Sequence, residues 1–489
     1  MRKISLYILA LCFAISARAQ EQIRIRNCRP QMRIEQQNSL PQMIQRRANG
    51  DNPYIGDRHQ LVVLVAFKDQ PFSGNESETM LKWNNILNAE NYHEAPYTGS
   101  LHDYFYEQSY GQFRVSFDIH YVVADSMKRY RSTYIDDDNS KYLVQDVIDS
   151  IRTKVTDWSQ YDWDSDGYVN QLMIIYSGMG MDDGGDNNTI WPHQYWLSRH
   201  KGCEPVKVTV GAEDYLIDAY CCTAERGSTG SIGTFGTLCH EYSHCFDLPD
   251  FYDGSNSYVG YWDLMDYGNR CGSGFRPCGY SAYERMWMGW LKPVELTSDT
   301  VITDMQALSD TAKAYIIRNE GHPDEYYLIE NRQKKGWDAE LPGSGILVFH
   351  VDYDKDIFKY GLVNNNRQQR YLIIPANDAV LPVYVRKDVS GWAYPYNGND
   401  ELTNTSTPAA KLNNANTDGT LLMSKPITNM AVTDCLASFS FSILTTGMNP
   451  IGVDNRNNET WHTIDGLRIP DSPTVPGLYI HDGKLELIR

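Results

Sequence analysis

Residues Thr234–Asp253 read TFGTLCHEYSHCFDLPDFYD. His240 and His244 stand four apart, so on a helix both imidazoles project from one face and can grip one metal ion. Glu241, next to the first histidine, is within reach of a water held by that ion. Leu248-Pro249 ends the helix, because proline disfavours helical geometry in the residue before it. The chain therefore turns just after His244 and brings Asp250, six residues beyond it, within reach as a third ligand. Asp247 is a rival carboxylate, and so is the distant Glu284. Histidine and carboxylate donors suit zinc, and a catalytic zinc keeps one position open for water. Such an ion lowers the pKa of the water, while Glu241 takes its proton and later hands it to a leaving amine. The competing reading is a pair of helix-face histidines, buried or solvated, that hold no metal.

Outward from this segment, Gly230, Gly233 and Gly236 give a flexible approach to the helix, and WDLMDYG (262–268) sets Met265 in a tight polar turn. A second metal signal lies upstream at Asp162-x-Asp164-x-Asp166-Gly167. Alternating carboxylates converge on a hard cation, the glycine permits a sharp turn, Tyr168 offers its backbone carbonyl, and Asn170 contributes directly or through water. Position twelve of that loop is Met173 rather than a bidentate Glu, so the expectation is a shortened calcium loop, against a solvated acidic turn. MDDGGDNN (181–188) reads as a solvated loop beside the cleft.

The apolar run LVVLVAF (61–67) has the character of a strand buried on both faces. Helices are expected at 77–87, 100–112 and 141–155, with strands at 113–123 and 171–176, an α/β pattern. After Leu291 a β-rich reading takes over, with strands at 314–318, 325–330, 345–351, 370–375 and 438–443 and a sandwich-like arrangement. The tail GLYIHDGKLELIR reads as a hairpin around Asp482-Gly483. The expected division is a signal peptide at 1–19, a short pro-region or linker at 20–58, a catalytic domain at 59–295, a β-rich domain at 296–447 and a linker with tail at 448–489.

At 489 residues, with 42% hydrophobic residues, the chain can bury a real core. A formal net charge of −18 disfavours a nucleic-acid partner, which needs a basic face. Arg2-Lys3, an apolar run and Ala17-Arg18-Ala19 form an export signal, and no other stretch has the length of a membrane span. Ten cysteines become nine after cleavage; Cys271 and Cys278 flank a glycine-rich loop and can pair, and Cys28, near the mature N-terminus, is a candidate free thiol.

HEYSHCFDLPDFYD resembles the active-site signature of the immune inhibitor A-like metallopeptidases of the metzincin clan. The resemblance extends to LVVLVAF, SLHDYFYEQSYGQF, YDWDSDGYVNQLMIIYSG, TIWPHQYWL, SAYERMWMGWL and ENRQKKGWDAELPGSGILVFHVDYD, in that order, over about residues 60 to 375. It implies a mixed twisted sheet with an active-site helix, zinc on His240, His244 and Asp250, Glu241 as base, and Met265 in the methionine turn that floors the metal. Tyr267, two residues on, stands where some metzincin branches place a phenol near the zinc to donate to the developing oxyanion; a packed turn tyrosine is the alternative. Position 247 departs from the clan's usual glycine, but Asp tolerates positive φ better than most residues. The implied function is a secreted zinc endopeptidase acting on proteins or peptides. The alternative is a non-catalytic surface or adhesive module on the same scaffold. WHTIDGLRIPDSPTVPGLYIHDGKLELIR resembles C-terminal segments of exported Bacteroidetes proteins, some of them sorting signals, which implies export machinery as a partner and an extracellular or outer-membrane location. Cys28, followed by Arg29-Pro30, could block the zinc as a thiolate before cleavage at Arg46-Arg47.

Overall fold

The computed structural model describes residues 52–131, 139–227, 234–364, 368–384, 387–443, 461–463, 468–469, 472–481 and 484–488. The expected signal peptide, Cys28 with most of the 20–58 segment, Gly230, Gly233, the residues 448–460 and the Asp482-Gly483 turn lie outside them.

Leu61–Phe67 forms the inner part of strand β1 (Gly56–Phe67), and each of these residues is buried. Helix α1 (Glu76–Asn88) opens on a capping box of Asn75 and Glu78, and α2 (Leu101–Gln108) on one of Ser100 and Asp103. Strand β2 (Phe113–Ala124) precedes α3 (Ser140–Ile151), whose Leu143, Val144, Val147, Ile148 and Ile151 make one apolar face. Strands β3 (Leu172–Met179), β4 (His193–Trp196) and β5 (Ala219–Arg226) complete a sheet of order β2-β1-β3-β5-β4. Its strands are parallel except β4, which pairs antiparallel with β5 at the edge. Side chains alternate across β1: Val62 and Leu64 enter a core with Tyr242 and Phe246, while Leu61, Val63 and Val65 meet Val144 and Ile148. Covering both faces is what a parallel sheet requires, and it explains the unbroken apolar run.

Helix α4 (Phe235–Ser243) follows β5, and α5 (Ala282–Trp287) leads into β6 (Val294–Glu295), β7 (Thr300–Met305), β8 (Tyr315–Arg318), β9 (Glu325–Arg332) and β10 (Gly345–Asp352). The short α6 (Lys355–Lys359) then precedes β11 (Tyr371–Ile373), and β12 (Ile427–Thr433) and β13 (Leu436–Phe441) close this part. One sheet has the order β6-β8-β9-β10-β11 and another β7-β13-β12. Tyr327, Ile329 and Val348 share a core with Ile427 and Phe439 of the three-stranded sheet. On the other face Leu328, Leu347 and Phe349 join Met265, Phe251 and Tyr283 in the core that also holds α4. That core therefore runs across residue 295.

Arg332, fully buried at the end of β9, ties the two parts together. Its guanidinium donates to the carbonyls of Trp262 (3.0 Å) and Gly279 (2.9 Å), to both Asp338 oxygens (2.7 and 2.8 Å) and to Glu330 (3.1 Å). A buried cation is tolerable only when its donors are satisfied in this way. Cys271 and Cys278 do not pair with each other as expected. Cys271 Sγ points to the Tyr261 carbonyl, while Cys278 Sγ is packed against Gly268, where a Cβ would lie 2.2 Å away.

Within residues 445–489, the strands Trp461–Thr463, Gly477–His481 and Lys484–Ile488 pair antiparallel, and Trp461 stacks on His481 with ring centres 4.1 Å apart. Among the described residues no helix is long and apolar enough to cross a membrane.

Candidate metal centre

Helix α4 passes into a tight 3-10 turn over His244–Phe246 and stops at Asp247, which adopts the left-handed conformation (φ 62°, ψ 20°). Asp fills the position as its tolerance of positive φ suggests. Its exposed carboxylate accepts from the Tyr54 hydroxyl at 3.1 Å. Leu248-Pro249 then reverses the chain, and the backbone is pinned at Phe251, whose N–H donates to the Met265 carbonyl (2.9 Å) and whose ring stacks on Tyr371 at 3.9 Å. The reversal brings Asp250 Oδ1 to 3.1 Å from His240 Nε2 and 3.5 Å from His244 Nε2.

One ligand atom from each of His240, His244 and Asp250 lies within 4.8 Å of the others. All three side chains are buried, as is Glu241. The far ring nitrogens are held by main chain: His240 Nδ1 bonds the Leu264 carbonyl at 2.9 Å, and His244 Nδ1 the Leu248 carbonyl at 2.7 Å. A carbonyl accepts only from N–H, so Nδ1 carries a proton in each ring and Nε2 is the nitrogen that faces Asp250. This is the second layer that metal-binding histidines require. The donor set and its bracing fit a zinc ion. The electrostatics agree. Burial alone would lower the pKa of His240, but the Asp250 hydrogen bond and the charge of Glu241 outweigh it and raise it to about 9. Two buried carboxylates facing two imidazoles thus draw in a positive charge.

The carbonyl that fixes His240 belongs to the residue before Met265. Met265 is buried, its N–H donates to Asp263 Oδ1 at 2.9 Å, and Gly268 N closes the turn on the Asp263 carbonyl at 2.8 Å. The turn thus sits against α4, and Gly236 of α4 packs so tightly on it that a Cβ would meet the Asn269 carbonyl at 1.9 Å. Tyr267 is buried with its ring 5.6 Å from that of Tyr252, which itself lies 6.3 Å from His240. Both tyrosines line a small cavity with Glu241, Thr237 and Asp182.

Neither rival carboxylate reaches the cluster. Asp247 faces Tyr54, and Glu284 caps α5, its Oε2 accepting from Ser281 N at 2.6 Å and Ser281 Oγ at 3.0 Å. Asp182, expected on a solvated loop, is instead largely buried beside the cavity and pairs with Arg270 at 3.5 Å. The sequence gives no local sign of this, because the partner lies 88 residues away. Tyr252 was also missed; its position two residues beyond Asp250 is the one available clue.

The upstream acidic loop brings oxygens of Asp162, Asp164 and Asp166 within 4.8 Å of one another. Asp162 accepts from Asp166 N (3.1 Å) and Gly167 N (2.9 Å), and Gly167 takes φ 84°. Asn170 Oδ1 instead accepts from Trp163 N at 2.6 Å, and Tyr168 N donates to Asp166 at 2.8 Å.

Residues 56–291 match the family model described as immune inhibitor A peptidase M6, catalytic domain. Among curated proteins, the chain is 22% identical over 349 residues to the pre-pro-metalloprotease PrtV of Vibrio cholerae, covering 64% of this chain and 34% of that protein. It is 25% identical over 280 residues to immune inhibitor A of Bacillus thuringiensis subsp. alesti, covering 48% of this chain and 40% of the relative. The chain thus spans about a third to two fifths of the length of these relatives. The matched model is that of a peptidase catalytic domain, and the first of these relatives is named a metalloprotease.

Proposed function

We propose that this protein is a secreted zinc endopeptidase in which His240, His244 and Asp250 hold the metal and Glu241 is the general base. The observation that carries this reading is the convergence of two carbonyl-braced imidazoles and one carboxylate within 4.8 Å, one helical position from a buried glutamate. When bound, zinc supplies Lewis-acid polarisation of a water and of the scissile carbonyl. Glu241 takes the proton of the attacking water and returns it to the leaving amine. Leu264 and Leu248 carbonyls hold the imidazoles in register, and the Met265 turn supports His240 from below as in a metzincin. Tyr267, beside Glu241, donates to the oxyanion that develops on the scissile carbonyl oxygen.

The 59–295 segment is the catalytic module and 296–447 a sandwich-like companion; the first twenty or so residues direct export, and the tail engages export machinery toward the cell exterior. The carboxylates of Asp162, Asp164 and Asp166, with the Tyr168 carbonyl and, through water, Asn170, hold calcium and staple the loop ahead of β3.

Casein hydrolysis by the mature chain and by Glu241→Ala, with zinc measured on both, tests the central claim. The assay is run with calcium and after limited trypsin treatment. Hydrolysis by the parent alone, with zinc in both, is expected. Zinc in both and no hydrolysis of casein or a broad peptide library by either would leave a binding module on a peptidase scaffold.

A further inference from the structure

Two cavities border α4, one beside Thr237 and Glu241, the other beside His244, Cys245 and Asp247 at the helix end. The second is the larger, at about 340 Å³, within the 300–1,000 Å³ or so typical of ligand pockets. Trp196 of β4, Ala219 of β5 and an aromatic cluster from α5 and α6 wall it. In that cluster Trp287 lies 6.1 Å from Tyr353, which lies 5.0 Å from Phe358, and Tyr283 lies 5.7 Å from Phe358. Trp287 Nε1 donates to the Phe246 carbonyl at 2.8 Å, so this wall is anchored to the turn that follows His244. Packed rings of this kind favour another aromatic ring, edge to face or offset.

The charge of the pocket is as distinctive as its size. Arg199, Lys355 and Lys359 line it against the carboxylates of Asp164 and Asp247, a positive excess in a chain whose net charge is −18. The Arg199 guanidinium sits 5.9 Å from the Trp196 ring centre, which holds its charge at the aromatic wall. The cavity beside Glu241 is different. It measures about 40 Å³, far below the other, and Asp182, Asn269 and Arg270 bring charged and polar groups to its wall.

We infer that the larger cavity receives a bulky aromatic side chain of a protein substrate, with an acidic residue next to it drawn to Arg199. The cavity beside Glu241 restricts the residue across the scissile bond to a small side chain. This rests on the peptidase reading, since Glu241 and His244 place the cut between the two cavities.

Mass-spectrometric mapping of cleavage sites in a library of natural peptides tests it, using the parent, Ala219→Trp, Trp196→Ala and Arg199→Gln, with zinc content and Tm measured on each. Ala219 pairs with Trp196 across β5 and β4, so tryptophan there fills the pocket from the sheet side, and zinc content shows whether the neighbouring metal cluster is intact. The parent is expected to cut between an aromatic and a small residue. Ala219→Trp and Trp196→Ala should each lose about 10- to 200-fold in kcat/KM on aromatic peptides, the range for mismatched apolar pockets, and far less on alanine-containing ones. Arg199→Gln should lose about fivefold, and only where the neighbour is acidic. A parent profile with no aromatic preference, or unchanged selectivity in zinc-loaded, folded variants, overturns the inference. Should the parent cut nothing, the peptidase reading fails and the pocket is judged by binding of acetyl-Glu-Tyr-amide against acetyl-Ala-Ala-amide. Selective binding that Ala219→Trp abolishes upholds the pocket, and equal or absent binding overturns it.

Discussion

Two sets of buried carboxylates in this protein meet opposite fates. In the five-stranded sheet, Glu325 is buried, and burial alone would raise its pKa. It is nevertheless held down at about 2, because His350 Nε2 lies 2.7 Å from Oε1 and N–H groups of Asn413, Asn414 and Asn319 surround both oxygens. Near α4, burial wins. Asp266 is pushed up to about 7 even though Ser257 Oγ and the N–H groups of Tyr258, Val259 and Gly260 all reach it, for all four crowd one oxygen, Oδ2. Glu284 is driven well above its usual range by burial and then by the charge of Asp263. An acid that the protein has fully satisfied is structural. Around α4 the acids are left wanting positive charge, and His240 answers by holding a proton that a metal ion would displace.

The strongest way to break this contrast is to remove a carboxylate from each side. Asp250→Asn should weaken zinc binding by more than about 100-fold, beyond what outer partners contribute, and abolish hydrolysis. Retained zinc affinity would sink the assignment of Asp250. Glu325→Gln should do the reverse, leaving zinc affinity unchanged while costing about 1–3 kcal/mol of stability. A depressed carboxylate stabilises the fold above its unfolded pKa and loses that contribution as pH falls, so the gap in urea midpoint between parent and variant should close between about pH 5 and pH 2. A gap independent of pH would mean that Glu325 matters only for its shape.

How much of this was legible in the sequence follows the same division. His240, Glu241 and His244 are set by helical periodicity, and Asp250 by a proline-forced turn only a few residues long, so local chemistry places them. The elements built on local signals came through: β1 and the helices expected near 77–87, 100–112 and 141–155. What could not be read is set by distant pairings. Strands β4 and β5 exist because they complete a sheet edge, and Asp182 is buried because Arg270 and the fold close over it. Arg332 holds the Trp262 carbonyl from 70 residues away, and no window of sequence reports that. Cys271 and Cys278 are near in sequence yet unbridged, one thiol directed at the Tyr261 carbonyl and the other packed on Gly268.

A smaller and sharper test concerns the proton itself. Metal-free His240 has its pKa raised to about 9, so at pH 7.5 it is charged and zinc must displace that proton. Isothermal titration of zinc in buffers of different ionisation enthalpy should register about one proton released near pH 7.5 and almost none above pH 10. The stability that the raised His240 gives the metal-free fold is fully present below its unfolded pKa and is lost as pH rises through about 9. Zinc binding without proton release at pH 7.5 would show that the acids around α4 do not act on His240 as described.

The smallest expected effect lies where the two regions meet. Tyr371 of β11 donates to Asp263 Oδ2 at 2.8 Å and lies 3.0 Å from Ser281 Oγ, the group that bonds Glu284. Asp263 in turn accepts from Met265 N, so one phenol of the β-rich sheet steadies the turn under His240. Tyr371→Phe keeps the ring that stacks on Phe251 and removes only the hydroxyl. It should cost about 1 kcal/mol, the net value of one hydrogen bond, with zinc still bound. The pH dependence separates a steadying role from mere packing. Burial raises Asp263 and Glu284, so the folded state holds more protons, and stability present at low pH is lost as pH rises through their folded pKa values. The Tyr371 hydroxyl favours the charged Asp263, so its removal should steepen that loss. The gap in urea midpoint between parent and variant should widen as pH rises. A uniform difference at every pH would assign the phenol to packing alone and leave the metal turn independent of the sheet.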